Sequence, residues 1–83
     1  MKVTLRYFAS VREAVGRGSE ARETGAATLR ALRDELVALG EPYAQALAPG
    51  KAVRMALDQV MVPGDADLRD GCEVAFFPPV TGG

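Results

Sequence analysis

Hydrophobic and polar side chains alternate at the start of the chain. Val3, Leu5 and Tyr7 share one face of this alternation, and Phe8 continues the opposite face. A two-residue period is typical of a strand with one buried face. The pattern therefore predicts a first strand over residues 2–8.

A short helix and a second strand are expected next. Ser10 and Glu13 have the spacing of a capping box, and Gly16 can end a helix of one or two turns over 11–15. Residues 20–24 alternate less clearly. They predict a short polar strand that pairs back onto the first strand.

A leucine stripe predicts the main helix. The leucines recur at spacings of three, four and three residues, which places them on one helical face: Leu29, Leu32, Leu36 and Leu39. Thr28 is a suitable N-cap, Gly40 a suitable C′ residue, and Pro42 prevents continuation. Two heptads are too few for a coiled coil, so the stripe is interpreted as the face that packs on a sheet.

The second half of the chain predicts another helical turn and three strands. The turn lies within 42–47, and a hairpin joins residues 53–57 to 60–62 through Asp58 and Gln59, although Asp-Gln is a weaker turn signal than Asp-Gly. Residues 72–77 form an apolar last strand. The element order predicts one α+β domain over residues 1–77, with a single main helix on one face of a sheet of about five strands.

Composition and charge exclude several classes of function. The 83 residues include 10 Lys and Arg against 11 Asp and Glu, a formal net charge of −1, so neither nucleic acid nor a membrane surface is expected as a partner. The chain has no His and one Cys, which argues against metal sites and against Ser-His or Cys-His hydrolases. No export signal or membrane-length apolar run is visible, and a cytoplasmic location is expected.

Two aromatic residues are expected on the sheet face that the main helix leaves open. Strand parity places Phe8 and Phe77 there, together with polar neighbours. If the first and last strands are adjacent, these rings form an exposed apolar surface, which in soluble proteins commonly marks a protein contact. Phe8 and Phe77 are therefore the predicted partner interface.

The end of the chain is the other candidate for function. Residues 78–83 are predicted to form a flexible, extended tail, because Pro78 and Pro79 stiffen its exit from the sheet and Gly82 and Gly83 leave the last carboxylate without a neighbouring side chain. Such a tail can enter a narrow channel. The functional interpretation is that the carboxylate of Gly83 is itself the reacting group; the alternative is a frayed terminus.

These residues resemble a known family. The stretch DGCEVAFFPPVTGG at 70–83 resembles the C-terminal signature of the small subunits of molybdopterin synthase, which are ubiquitin-like sulfur carriers. The stretch YFASVREAVG at 7–16 is similar to that family's opening strand and short helix. Cys72 and Asp58 depart from the residues that are usual in the family, but both lie away from the tail.

The resemblance implies a β-grasp fold and a specific chemistry for the tail. An E1-like adenylating partner would use ATP and magnesium to adenylate Gly83, and a persulfide donor would supply the sulfur of a Gly83 thiocarboxylate. A tail segment would enter the active site of the large synthase subunit: Pro79, Val80, Thr81, Gly82 and Gly83. Sulfur would pass there to cyclic pyranopterin monophosphate, forming the dithiolene of molybdopterin.

The resemblance also implies the composition of the assembly and the role of each subunit. Two small and two large subunits would form a heterotetramer, and the catalytic side chains would belong to the large subunit. This chain would then be a non-catalytic sulfur donor that binds no cofactor permanently. The alternatives are a sulfur carrier for thiamin thiazole or another metabolite, a ubiquitin-like protein modifier, and a plain interaction module.

Overall fold

The computed structural model describes residues 1–48 and 50–79. Five strands and three helices lie within these ranges: β1 (Lys2–Tyr7), α1 (Ala9–Val15), β2 (Ser19–Glu23), α2 (Leu29–Ala38), α3 (Tyr43–Leu47), β3 (Arg54–Leu57), β4 (Val60–Met61) and β5 (Glu73–Phe77). Every strand predicted from the sequence is confirmed, and each predicted bound lies within one residue of the observed one. No helix in the described ranges is long and apolar enough to cross a bilayer.

The strands form one mixed sheet in the order β2-β1-β5-β3-β4. β1 and β5 pair in parallel, and the other neighbouring strands pair antiparallel. The last strand in the sequence therefore occupies the centre of the sheet. With α2 packed across one face, this is the β-grasp fold that the resemblance implies.

The core lies between the sheet and α2. The inward side chains of β1 are almost fully buried, with Val3, Leu5 and Tyr7 at most 1% exposed. Three leucines of the predicted stripe are completely buried: Leu29, Leu32 and Leu36. Each such side chain contributes about 1.5–3 kcal/mol on transfer from water, so this interface is a main source of stability.

Leu39 does not belong to the buried stripe, and that part of the prediction is wrong. Helix α2 ends at Ala38, and the next residue, Leu39, is the C-cap and is 52% exposed. Gly40 follows with φ of 91°, the left-handed conformation that is common just after the end of a helix. The N-terminal expectation is confirmed, because the Thr28 side chain accepts a hydrogen bond from the Ala31 N–H at 3.1 Å.

The capping box predicted at Ser10 and Glu13 is also wrong. α1 begins at Ala9, its N-cap is Phe8, and no side chain caps it. The Phe8 N–H donates to the Phe76 carbonyl at 3.1 Å, so sheet pairing continues up to the residue at which the helix starts. Ser10 consequently lies inside the first turn, while Gly16 ends the helix with φ of 92°, as expected.

Polar contacts hold α3 and the β2 edge against the core. The hydroxyls of Tyr7 and Tyr43 both donate to the same carboxylate oxygen of Glu20, at 2.8 and 2.6 Å. Burial, followed by the hydrogen bond to Glu20, raises the pKa of both tyrosines above the usual range. Arg33 donates to the carbonyls of Leu47 and Ala48, which satisfies the end of α3.

Candidate functional site

The candidate site begins where the chain leaves the sheet. β5 is paired on both sides almost to its end, with Phe76 opposite Tyr7 and Phe77 opposite Arg54. Pro78 and Pro79 follow directly, and because proline has no N–H they cannot extend the ladder. The tail therefore starts from the most firmly held strand of the sheet, at a fixed position and direction.

The predicted tail residues are only partly covered by the structure. Pro79 is half-buried at the root of the tail. The other four predicted tail residues lie outside the described part of the chain: Val80, Thr81, Gly82 and Gly83. Their role in the site stays a prediction.

The two predicted aromatic residues are brought together beside this root. β1 and β5 are adjacent, as expected, and their parallel register places Phe8 next to Phe77 on the face opposite α2. Phe8 is 42% exposed and Phe77 is half-buried. The expected exposed aromatic surface is thus present, and its use as a partner interface stays a prediction.

The structure adds residues that sequence reasoning missed. Ala75 lies opposite Ala56, and Ala56 lies opposite Met61, so all three share the open face with the aromatic rings. Met61 is 57% exposed, whereas the two alanines are small and buried between larger neighbours. We call the set Phe8, Ala56, Met61, Ala75 and Phe77 the apolar patch.

The position of Met61 on the open face could have been predicted from the two-residue turn at Asp58 and Gln59. Once that turn fixes the hairpin register, Met61 must pair with Ala56 and share its face. Parity alone could not have placed Met61, because β4 is only two residues long. The edge of the patch therefore depends on turn geometry rather than on strand pattern.

The backbone around Phe8 holds this ring outside the core. Phe8 has extended angles, and Ala9 then adopts φ of 50°, an unfavourable value for a residue with a side chain. This bend turns the chain from β1 into α1 immediately after the aromatic residue. The Arg6 guanidinium lies 5.5 Å from the centre of the Phe8 ring and 3.4 Å from a Glu73 carboxylate oxygen, so the ring has a charged neighbour that is itself anchored.

A groove of about 280 Å³ opens on the other side of the tail root. Pro78 forms one wall, and α1, α3 and the segment before β3 form the rest, with Ser10, Gln45 and Lys51 as its polar residues. The tail root is therefore flanked by two different surfaces, the apolar patch and this mixed groove.

Two potentially reactive residues just before β5, Asp70 and Cys72, have structural surroundings. The described ranges contain no group of three or more His, Cys, Asp or Glu residues arranged to hold a metal ion. Cys72 is 4% exposed and packs in the hydrophobic core. Asp70 accepts a hydrogen bond from the Lys2 N–H at 2.7 Å, which gives this loop carboxylate a structural role.

Comparison with known proteins agrees with this arrangement. Residues 5–83 match the ThiS family. The chain belongs to the ThiS family. Among curated relatives, this ThiS-family chain is 46% identical over 83 residues to the molybdopterin synthase sulfur carrier subunit of Escherichia coli, covering 98% of this chain and 99% of the relative. It is 40% identical over 77 residues to the subunit of the same name from Haemophilus influenzae, covering 93% and 94%.

A solved structure of a complex is similar as well. This ThiS-family chain resembles a chain in the complex of subunits 1 and 2 of molybdopterin-converting factor from Helicobacter pylori, with a TM-score of 0.69, 25% identity and full coverage of both chains. A likeness over the whole length of both chains means that the two folds correspond from β1 to the tail root.

Proposed function

We propose that this chain is the sulfur carrier subunit of a molybdopterin synthase. The observation that carries the proposal is its identity of 40–46% to two curated sulfur carrier subunits over nearly their whole length. The same relatives favour the pterin pathway over the thiamin thiazole alternative. A carrier needs a fixed exit for its reactive tail and a surface that docks on its partner. The tail root at the centre of the sheet and the apolar patch beside it would serve as these two parts.

The proposed chemistry takes place at the terminal carboxylate of Gly83. A carboxylate is a poor electrophile, so an oxygen of Gly83 attacks the α-phosphate of ATP on an E1-like partner, and pyrophosphate leaves. The outer sulfur of a donor persulfide then attacks the activated carbonyl, and AMP leaves. A second donor thiol then attacks the donor-side sulfur of the resulting acyl disulfide. This forms a disulfide on the donor and releases the Gly83 thiocarboxylate.

The folded domain would serve as a handle that positions this group. Docking of the apolar patch on the large subunit would fix β5 relative to the partner, and the rigid Pro78-Pro79 exit would direct the following residues towards the active site. Holding the reacting group in place converts a bimolecular encounter into an intramolecular one. The proposal thereby explains how a chain without His takes part in catalysis.

A reconstituted reaction tests the proposal. The chain is converted to the thiocarboxylate by its adenylating partner, ATP, magnesium and a persulfide donor, then mixed with the large subunit and cyclic pyranopterin monophosphate. Formation of molybdopterin, with return of Gly83 to the carboxylate, is expected. A thiocarboxylate that instead supports thiazole synthesis, or isopeptide adducts to target lysines in place of sulfur transfer, would overturn the assignment.

A further inference from the structure

Two arginines stand at opposite corners of the apolar patch. Arg6 lies on β1 opposite Ala75, and Arg54 lies on β3 opposite Phe77. Strand parity places both side chains on the open face of the sheet. A partner that covers the patch therefore also covers or borders these two positive charges.

The two arginines differ in what they contact. Arg6 has an ion-pair partner in Glu73 at 3.4 Å and lies over the ring of Phe8. Arg54 is exposed, and within residues 1–48 and 50–79 its side chain makes neither a hydrogen bond nor an ion pair. The uncompensated positive charge of the patch is thus located at Arg54.

The far end of the same face is different. Lys2 lies directly opposite Glu23, and the N-terminal ammonium of Met1 lies 3.8 Å from the Glu23 carboxylate. Asp70 adds a second carboxylate there, where it accepts a hydrogen bond from the Lys2 N–H at 2.7 Å. The two positive groups therefore lie beside two carboxylates, and the patch residues are absent. The charge at Arg54 is therefore a local property of the apolar end of the face.

Covering Arg54 has an energetic consequence. A guanidinium that loses water on docking destabilises the complex unless the partner supplies a compensating group, and a carboxylate is the best match for its planar donors. A partner that brings a positive charge to this corner would be rejected. The position can therefore discriminate between partners that are equally apolar.

We propose that Arg54 is a specificity-determining contact that pairs with a carboxylate at the edge of the large subunit's docking surface. This inference rests on the proposed function, because it takes the large synthase subunit as the occupant of the patch. The matching surface has an apolar centre for Phe8, Met61 and Phe77, and an acidic side chain at the corner next to β3.

Charge reversal at matched positions tests the inference. Arg54→Glu and Lys2→Glu change the net charge equally and on the same face, but at opposite ends. In a calorimetric titration with the large synthase subunit at low salt, we expect binding about tenfold weaker for Arg54→Glu and less than about twofold weaker for Lys2→Glu. The difference should shrink as salt is added, because the lost interaction is electrostatic.

A neutral variant and the wild-type chain complete the design. Arg54→Gln should bind more tightly than Arg54→Glu and show a weaker salt dependence than the wild type, and it serves as the test if the reversed variant fails to fold. Equal losses at Arg54 and Lys2, or no loss at Arg54, overturn the inference alone. Failure of the wild-type chain to bind the large subunit overturns the proposed function itself.

Discussion

At the scale of single residues, Phe8 shows how the chain keeps an aromatic ring outside its core. Burial of the Phe8 ring in the core would stabilise the fold. Pairing of the Phe8 backbone with Phe76 and the bend at Ala9 nevertheless hold the ring on the open face. Backbone strain of this kind is commonly found where a function requires a fixed side chain. The geometry is therefore suited to presenting a preorganised anchor.

Replacing this anchor should weaken docking without affecting the fold. Phe8→Ala is expected to lower the affinity for the large subunit by at least about tenfold, because a central aromatic contact is lost. Leu39→Ala is a matched control, since Leu39 is similarly exposed but lies at the end of α2. Equal affinities of the two variants in the titration would remove Phe8 from the interface.

The stability of the domain at low pH depends in part on the carboxylate of Glu35. It accepts hydrogen bonds from Arg22 Nε at 2.6 Å and from Thr24 Oγ1 at 2.7 Å. Burial alone would raise the pKa of this carboxyl, but these hydrogen bonds and the charge of Arg22 outweigh it and lower the pKa below its usual value of 4.5.

The sign of the effect follows from this depressed pKa. The stabilisation is complete above the unfolded value near 4.5 and is lost as the pH falls through the lower folded value. In urea titrations at several pH values, the stability advantage of the wild type over Glu35→Gln should be constant above pH 5 and shrink below it. Parallel pH curves for the two proteins would contradict this account.

At the scale of elements, the β3–β4 hairpin carries a conformational cost in its turn. Asp58 and Gln59 have φ of 49° and 69°, the left-handed values of a two-residue hairpin turn that glycine adopts without strain. The Asp58 carboxylate compensates in part, because it accepts a hydrogen bond from the Glu73 N–H at 2.9 Å. Gln59 has no corresponding bond among the described residues.

This difference predicts unequal effects of glycine at these two adjacent positions. Gln59→Gly should raise the free energy of unfolding by about 1 kcal/mol, because left-handed strain is removed and no contact is lost. Asp58→Gly should stabilise less, or destabilise, because it also leaves the Glu73 N–H without its acceptor. Urea denaturation measures both changes, and a destabilised Gln59→Gly variant would contradict the strain argument.

The elements also show how far the sequence could predict the fold. The strands, α2 and its Thr28 cap follow from periodicity and local capping chemistry, which depend only on neighbouring residues. The false capping box at Ser10 illustrates the limit, because a long-range bond from Phe8 to Phe76 decided where α1 begins. Leu39 was misassigned because the helix ended one residue before the stripe did.

The candidate site was predictable to the extent that it depends on parity and on the tail sequence. Phe8 and Phe77 follow from strand alternation once β1 and β5 are neighbours. Met61 and the charge at Arg54 require the register of β3 against β4 and β5, which long-range pairing determines. The contacts of Glu20 with two tyrosines likewise join residues far apart in the chain and leave no local pattern.

At the scale of the whole molecule, the folded domain is proposed to dock on the partner and the Gly83 carboxylate to carry the sulfur. A change at the end of the tail should therefore affect sulfur donation without affecting docking. Adding one residue after Gly83 should leave folding and docking unchanged, because the domain and the apolar patch are untouched. The same extension should abolish sulfur donation, since the carboxylate is displaced from the position where the partners act on it. Calorimetric titration and molybdopterin formation measure the two properties, and an extended chain that still donates sulfur would refute the carrier mechanism.

The most direct test of the central claim is the intact mass of the chain after incubation with its adenylating partner, ATP, magnesium and a persulfide donor. The account predicts a mass increase equal to the difference between sulfur and oxygen, located by fragmentation at Gly83 and absent when ATP is omitted. An unchanged mass under conditions in which the partner is demonstrably active would contradict the claim that this chain carries sulfur.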